Sequence, residues 1–365
     1  MSAIEALFEE LVNRGGSDLH LAVSQPPIAR VRGELIQLRD AVIPAKELEE
    51  MLLELVSPAQ RTRLAADLEL DLALAYRDVA RFRVNLYVKH PGIAATFRLV
   101  PGRVPSLAEL GCPEVLWQLA DRRRGLVLLA GPASSGKTTT LAAMVDHINK
   151  TRACHVVTIE SPVEFVHEPL RAQITQREVG THVPSVSAAL RSAPRENADV
   201  LVISELATPD DIEVALRLAN DGRLVLTTVA SSSANATLER WLGMFDSARQ
   251  GRVRGLLADA LAGVVVQHLV RATDSKTRLA VHEVLLATSA VTGVIREARL
   301  ERIGEILKSP DSTGMQSLDA ALERLLGANR IAPEVALERA VDKENIARVI
   351  ARLTPDTGAK VPSRP

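Results

Sequence analysis

The stretch from Gly125 to Ile148 constrains the fold of this chain more than any other part of its sequence. It begins with an apolar run, GLVLLA, and ends with a helix-forming run, KTTTLAAMVDHI. Between them, Gly131–Thr138 reads GPASSGKT and fits the pattern G-x-x-x-x-G-K-[ST] without a mismatch. Glycines in such a loop let the backbone wrap a phosphate with its N–H groups pointing inward. We therefore predict a strand, a phosphate-binding loop and a helix in this order.

The loop residues predict a nucleoside triphosphate as the ligand. The Lys137 ammonium is expected to reach the β- and γ-phosphates, and the Thr138 hydroxyl is expected to ligate Mg²⁺. The N-terminus of the following helix adds a positive dipole end beside the phosphates. The predicted nucleotide-binding residues are Gly131, Pro132, Ala133, Ser134, Ser135, Gly136, Lys137, Thr138 and Thr139.

Three more apolar runs follow the loop: HVVTIE, VLVISE and LVLTTVA. Apolar runs separated by helical stretches indicate parallel strands covered on both faces, and ligands bind at the carboxyl ends of such strands. Glu205, at the end of VLVISE, is therefore predicted to orient or deprotonate the attacking water. The alternative is a surface glutamate that starts a helix. Glu160 and Glu164 follow HVVTI, and either of them could act on Mg²⁺ or on the water.

The first hundred residues have a different rhythm. Helical spacing of apolar residues over Ile4–Val12 and Leu48–Leu55 is mixed with extended runs such as SDLHLAV and RFRVNLYV. This mixture predicts a compact α+β domain, and a Pro- and Gly-rich stretch marks its end. The predicted divisions are an α+β domain over 1–100, a linker over 101–114, an α/β core over 115–280, a helical part over 281–353 and a disordered tail over 354–365.

Composition argues against several classes of protein. Lys and Arg number 44 against 45 Asp and Glu, and this balance disfavours a nucleic-acid partner. Acidic residues interrupt the apolar N-terminus, so we expect no signal peptide, and no uncharged apolar run is long enough to span a bilayer. The two cysteines are too few for a four-cysteine zinc module. These features predict a cytoplasmic protein without a membrane span.

Several motifs together resemble a known family. GPASSGKTTT, TIESPVEF, ITQREVG and VLVISE, in this order, resemble the secretion-type ATPases, and more closely the PilT/PilU-type retraction motors of type IV pili. The segments GGSDLHL, RFRVN, FRLVP and GMQSLDAAL are similar to that group as well. The resemblance extends over nearly the whole chain, to about Glu344.

The resemblance implies a PAS-like N-terminal domain followed by a RecA-like P-loop core with a helical C-terminal part. It also implies an ATP-hydrolysing homo-hexamer with ATP between subunits, formed by this chain alone or mixed with a paralogous motor. Such a ring would work in pilus retraction and twitching motility, peripheral at the inner face of the inner membrane, with a pilus platform protein as partner. By position, Glu205 matches the catalytic glutamate, and Glu160 and Glu164 match acids of the Asp box. Arg83 and Arg98 match arginines that reach the nucleotide.

The chain also departs from the family pattern. Ser161 stands where an aspartate follows the Asp-box glutamate, and Ala207-Thr208 replaces an Arg-Asp pair. Both histidines of the His box are missing, the second one at Ala230, and the retraction-linked segment reads AVTGVIRE at 290–297. An alanine donates no side-chain hydrogen bond to a phosphate, and losing one such donor can cost about a hundredfold in rate. The alternative function is therefore a nucleotide-binding paralogue with little turnover of its own, which regulates or assembles with an intact motor.

The replacement of the second His-box histidine generates the first testable prediction. If Ala230 limits turnover, Ala230→His should raise phosphate release by about tenfold or more, because a donor to the phosphate is restored. Phosphate release by the purified variant and wild type measures this directly. An unchanged rate in the variant would count against Ala230 as the cause of slow turnover.

Overall fold

The computed structural model describes residues 3–31, 33–76, 80–100, 102–274, 277–309 and 314–353; the predicted tail at 354–365 lies outside these residues. The first part of the chain contains α1 (Ala3–Asn13), β1 (Gly16–Ala22), β2 (Ile28–Val31), β3 (Glu34–Gln37), α2 (Ala45–Leu53), α3 (Pro58–Asp67), β4 (Glu69–Tyr76), β5 (Ala80–Lys89) and β6 (Gly92–Val100). Next come α4 (Val115–Ala120), β7 (Gly125–Gly131), α5 (Lys137–Thr151), β8 (His155–Glu160), β9 (Gln173–Glu178), α6 (Val186–Ser192) and β10 (Val200–Glu205).

The remaining elements are α7 (Pro209–Asn220), β11 (Leu224–Ala230), α8 (Ala234–Gly243), α9 (Ser247–Ala260), β12 (Leu261–Arg271), β13 (Arg278–Leu286), α10 (Ser289–Arg296), a short 3-10 helix (Leu300–Arg302), α11 (Ile303–Lys308), α12 (Leu318–Gly327), α13 (Pro333–Arg339) and α14 (Lys343–Leu353). Among the helices described, none combines the length and the apolar character that crossing a bilayer requires.

The chain forms two compact units, of which the first comprises residues 1–105 and 149–204. Its N-terminal part is a six-stranded antiparallel sheet in the order β3-β2-β1-β6-β5-β4. Helix α1 buries Leu7, Phe8 and Leu11, whose spacing of one and four residues puts them on one helical face. The Phe8 ring stacks on Phe82, with centroids 4.3 Å apart, and meets Phe97 edge to face at 5.1 Å. This α+β arrangement confirms the fold class expected of the N-terminal part.

Helix α3 was missed by the analysis of apolar spacing because Leu64 is its only buried residue. Its start is nevertheless marked in the sequence. Ser57 caps it and forms a capping box with Gln60, and Pro58 occupies the first turn, where its missing N–H costs nothing. The polar start signal was therefore more informative here than the apolar pattern.

The later part of the first unit contains parallel strands. β10 pairs with β8, and β8 pairs with β9, both in parallel, with Val200 opposite Val156 and His155 opposite Gln173. Parallel strands that share a direction present their carboxyl ends at one edge. Glu160 and Glu178, at the ends of β8 and β9, therefore lie side by side in register.

The second unit comprises residues 106–148 and 205–365. Its strands follow the order β13-β12-β7-β11; β11 and β12 flank β7 in parallel, and β13 is antiparallel to β12. All seven residues of β7 are buried, as expected for a parallel strand covered on both faces. Residues 281–286, placed at the start of the helical part, lie instead in β13. Its apolar residues pair with β12, so the helices begin only at Ser289.

Helices α12–α14 pack around Leu322, Ala336 and Ile346 in a small core that also includes Val270 of β12 and Val281 of β13. The predicted domain boundaries at 100, 114 and 280 stay predictions. The two compact units divide the chain after residues 105, 148 and 204 instead.

The aromatic contacts of the first unit generate a stability prediction. Phe82 is fully buried and stacks on Phe8, so Phe82→Ala should lower the free energy of unfolding by about 3–5 kcal/mol. Val88 lies on the same strand but is exposed, and Val88→Ala should change it by less than about 0.5 kcal/mol. Urea unfolding followed by circular dichroism tests both variants. Equal effects at the two positions would contradict the aromatic core.

Candidate active site

The phosphate loop joins β7 to α5 and depends on backbone conformations that only small residues allow. Gly131 and Gly136 have φ angles of 153° and 86°, and Ser134 has a φ of 60°. A Cβ atom on Gly131 would lie 2.4 Å from the Gln267 carbonyl oxygen, and one on Gly136 would lie 2.9 Å from the Gln267 Nε2 atom. Gly131 is therefore required by space as well as by φ, because it faces a backbone atom, whereas Gly136 is favoured chiefly by its φ.

Lys137 points its ammonium group back into this loop. Its Nζ donates hydrogen bonds to the carbonyl oxygens of Gly131, at 2.9 Å, and Pro132, at 2.8 Å. Partial burial lowers the pKa of Lys137, while the nearby charge of Glu205 acts in the opposite direction. Glu205 is the last residue of β10 and is exposed. The structure thus brings the predicted phosphate lysine and the predicted catalytic glutamate within electrostatic reach of each other.

A buried polar network behind the loop was missed by the sequence analysis. Thr140 Oγ1 donates to Gln267 Oε1 at 2.7 Å, and Gln267 Nε2 donates to the Ser135 carbonyl at 2.7 Å. Gln267 lies in β12 and is only 2% exposed. A single glutamine inside the apolar run LAGVVVQHLV was the available signal, because buried polar side chains need partners.

The end of β11 lies beside the loop. Ala230 pairs in register with Gly131, and the Ser231 N–H donates to the Gly131 carbonyl at 3.4 Å. The Arg240 Nη1 atom, from α8, donates to the Ala230 carbonyl at 2.9 Å. A methyl group therefore stands where the family pattern has a histidine, with an arginine bonded to the same backbone position.

Glu160, in the first unit, is tied down by neighbouring polar groups. Its Oε1 atom accepts hydrogen bonds from Thr158 Oγ1 at 2.5 Å and from Gln176 Nε2 at 2.9 Å. Burial raises the pKa of Glu160, and these hydrogen bonds, together with one from the Glu164 backbone, oppose the rise. Burial thus favours the protonated carboxyl group, whereas the hydrogen bonds favour the charged form.

Strand β9 holds the segment that follows Glu160. Gln176 Nε2 also donates to the Phe165 carbonyl at 2.8 Å, and its Oε1 accepts from the His167 N–H at 2.9 Å. Glu178 Oε2 accepts from the Val163 N–H at 3.0 Å. Residues of the motif ITQREVG therefore hold the backbone of the segment that follows Glu160. The order of the two motifs in the sequence did not reveal this contact.

Charged residues form a row across the N-terminal sheet. Arg30 and Arg98 stand opposite Asp18 on the two strands that flank β1, and Arg83 stands opposite Arg98. Arg98 Nε lies 2.9 Å from Asp18 Oδ1. Adjacent like charges such as Arg83 and Arg98 repel, so each needs an acid beside it.

Arg83 has Glu164 as its partner, since its Nη1 lies 3.4 Å from Glu164 Oε1. Burial raises the pKa of Glu164, whereas Arg83 and Arg98 both act to lower it. The first unit therefore brings four predicted catalytic residues into one region: Arg83, Arg98, Glu160 and Glu164. The second unit brings the loop and Glu205 together, and the role of each residue stays a prediction.

Comparison with known proteins identifies the relationship. Residues 1–313 match the family described as Type II/IV secretion system protein. The chain belongs to this family. It is 38% identical to the twitching motility protein of Neisseria gonorrhoeae over 88% of this chain and 86% of the relative. It is 37% identical to the type IV pilus retraction ATPase PilT of Pseudomonas aeruginosa over 91% of this chain and 96% of PilT.

A solved structure of another family member extends the comparison to the fold. The crystal structure of the pilus retraction motor PilT with bound ADP superposes with a TM-score of 0.86 at 32% identity. The match covers 95% of this chain and 100% of that structure. The predicted retraction-ATPase resemblance, the fold class and the class of P-loop ATPase are therefore confirmed.

No group of three or more His, Cys, Asp or Glu residues suited to a metal ion occurs among the residues that the structure describes. An ion such as Mg²⁺ keeps several waters and is bound in nucleotide sites chiefly by phosphates and one or two protein oxygens. The Thr138 hydroxyl, in the first turn of α5, is the protein oxygen predicted for that purpose.

The ion pair of Asp18 and Arg98 generates a pH-dependent prediction. Burial acts to raise the pKa of Asp18, but hydrogen bonds from Arg98 and Ser17 outweigh it and leave the pKa below its ordinary value. Stabilisation by the carboxylate is therefore present above pH 4 and is lost as the pH falls through the folded-state pKa. Asp18→Asn should cost about 1 kcal/mol of unfolding free energy at pH 7, since Arg98 is largely exposed.

Urea unfolding of the full chain between pH 7 and pH 3.5 measures this difference. The wild type and Asp18→Asn should converge as the pH falls below about 4. Asp40→Asn, at an exposed site, is the control and should show no such convergence. A difference that stays constant down to pH 3.5 would rule out the ionised pair as its source.

Proposed function

We propose that this chain is an ATP-hydrolysing motor subunit of type IV pilus retraction, which drives twitching motility. The closed phosphate loop, with Lys137 inside it and Glu205 within electrostatic reach, is the observation that carries the proposal. The similarity to two relatives, a twitching motility protein and a retraction ATPase, supports the process assigned to it.

Each residue of the loop would have a defined task. The loop N–H groups bind the phosphate oxygens, and Lys137 exchanges the carbonyls of Gly131 and Pro132 for the β- and γ-phosphates. The Thr138 hydroxyl would hold Mg²⁺, which supplies neutralising charge on the phosphates when bound. Glu205 orients the attacking water and accepts its proton.

The charge row of the first unit would contribute arginines. Asp18 and Glu164 hold the guanidinium groups of Arg98 and Arg83 in place. A guanidinium with fixed position is suited to stabilise negative charge on a transferring phosphoryl group. Glu160, whose pKa is raised by burial, would act on Mg²⁺ or on the attacking water.

The proposed assembly is a hexameric ring, formed by this chain alone or mixed with a paralogous motor. The ring would lie in the cytoplasm at the inner face of the inner membrane and act on the pilus platform protein. The similarity to the retraction motor PilT over 95% of this chain supports this proposal.

A second candidate function is favoured by two substitutions. Ser161 carries no charge toward Mg²⁺, and Ala230 offers no donor at the end of β11. Nucleotide binding depends mainly on the loop, which is intact, so affinity would survive while turnover falls. On this proposal the chain binds ATP and regulates an intact motor within a mixed ring.

The role of Glu205 separates the two functions. Glu205→Gln should lower phosphate release about a hundredfold or more, because the general base is lost, while nucleotide affinity stays within about twofold. The fluorescent analogue mant-ATP measures binding, and a coupled phosphate assay measures turnover. Glu301→Gln, at an exposed site, is the control with unchanged rates.

Both assays are repeated with a purified, intact retraction motor added. Wild-type turnover in Glu205→Gln would remove Glu205 from the mechanism. A wild-type chain that binds mant-ATP but releases no phosphate, alone or with the motor, would support the regulatory function instead.

A further inference from the structure

Gln267 makes more contacts to the phosphate loop than its place in the middle of a core strand would require. It donates to the Ser135 carbonyl, and its own backbone oxygen lies so close to Gly131 that a side chain there would clash. Its amide oxygen accepts from Thr140 in the first turn of α5. One side chain on β12 is thereby bonded to both the loop and the helix that follows the loop.

The amide oxygen of Gln267 has its hydrogen-bonding capacity filled in one specific way. Its oxygen accepts two hydrogen bonds, from Thr140 Oγ1 and from His282 Nε2 at 3.1 Å, which use both lone pairs. Burial lowers the pKa of His282 to about 4, so its ring is neutral at physiological pH. Because an amide oxygen can only accept, the proton of this contact lies on His282 Nε2. The amide N–H group is thus left facing the loop.

We propose that Gln267 is a positioning residue that sets the phosphate loop in its nucleotide-binding shape before the nucleotide arrives, with Thr140 as its anchor on α5. This inference rests on the proposed function, because it assigns a role within the same nucleotide site. A loop that is already ordered loses less conformational entropy on binding, so the affinity for the phosphates is higher.

Another buried threonine provides a matched comparison. Thr140 and Thr227 are 1% and 0% exposed and lie in α5 and β11 of the same unit. The Thr140 hydroxyl bonds to Gln267, whereas Thr227 Oγ1 has no hydrogen-bond partner within the described residues. Replacing either one by valine keeps the shape of the side chain, so the two variants differ in whether the Gln267 contact is lost.

The first experiment measures the mant-ATP dissociation constant of Thr140→Val and Thr227→Val in the full chain. Thr140→Val should weaken binding about threefold to tenfold, since one net hydrogen bond is lost, and Thr227→Val should stay within about twofold of wild type. Thermal unfolding without nucleotide checks that both variants are folded. Equal dissociation constants for the two variants, whether weakened or not, would overturn the proposal.

The second experiment uses Gln267→Glu, which is isosteric with the wild-type side chain. A protonated carboxyl group donates to the Ser135 carbonyl as the amide does, whereas a carboxylate repels it. Burial should raise the pKa of the new carboxyl group into the measurable range. The ionisable groups around it are His282, which faces the amide, and His268 and Arg324, which act on His282. Lys137 belongs to the loop that the amide contacts, and its ammonium group bonds to the Gly131 and Pro132 carbonyls.

Relative to wild type, Gln267→Glu should bind mant-ATP almost normally at pH 6 and about tenfold more weakly at pH 9. A purely structural role would not produce this pH dependence. Wild-type affinity at both pH values, or uniformly weakened binding, would overturn the proposal. If this variant does not fold, the two valine variants decide the question.

A control with Lys137→Ala separates this inference from the function on which it rests. Wild type should bind mant-ATP and Lys137→Ala should not. If wild type fails to bind, the proposed function is wrong and the inference falls with it. If wild type binds, Lys137→Ala does not, and Thr140→Val behaves as Thr227→Val, then the function stands and only the role of Gln267 is refuted.

Discussion

The close approach between β12 and the phosphate loop is the constraint on which the rest of the site depends. The Gln267 backbone oxygen leaves no room for a side chain at Gly131, and the Gln267 amide bonds to the Ser135 carbonyl. β12 pairs in parallel with β7, so the strand that carries Gln267 lies directly beside the strand that leads into the loop. The network continues through His282 to Gln316, whose Nε2 donates to the His282 carbonyl at 2.6 Å just before α12. Hydrogen bonds thus extend from the loop to Gln316, the residue before the N-cap of α12.

In the first unit, charged side chains on neighbouring strands are paired with one another. The antiparallel register places Arg83 opposite Arg98 and Arg98 opposite Asp18. Two positively charged residues and one negatively charged residue therefore follow one another across the sheet. Two neighbouring arginines remain compatible only because Asp18 and Glu164 lie beside them. Two neighbouring guanidinium groups stabilise negative charge that develops on a phosphoryl group, whereas without such a charge they repel each other. This arrangement is the one that the proposed role of the two arginines at a phosphoryl group would use.

Binding and turnover place different demands on this chain. The loop predicted to bind phosphate matches its motif without a mismatch, and Gln267 and Thr140 support it through buried hydrogen bonds. The set of groups predicted to accelerate hydrolysis is less complete, because Ser161 and Ala230 lack the charge and the donor that the family pattern provides. Arg240, bonded to the Ala230 carbonyl, is a cation at the same strand end. The family relationship is therefore compatible with a motor and with a partner of a motor, and the two functions share one binding site.

The sequence by itself determined the phosphate loop, the strand that precedes it and the family, because these depend on local spacing and on glycines at fixed positions. It also placed Glu205 at a strand end. Only the tertiary structure decided that Gln267 supports the loop and that Gln176 clamps the segment after Glu160, since these contacts join residues on separate strands and loops. The strand β13 was missed for the same reason: pairing with β12, rather than local spacing, makes residues 281–286 extended.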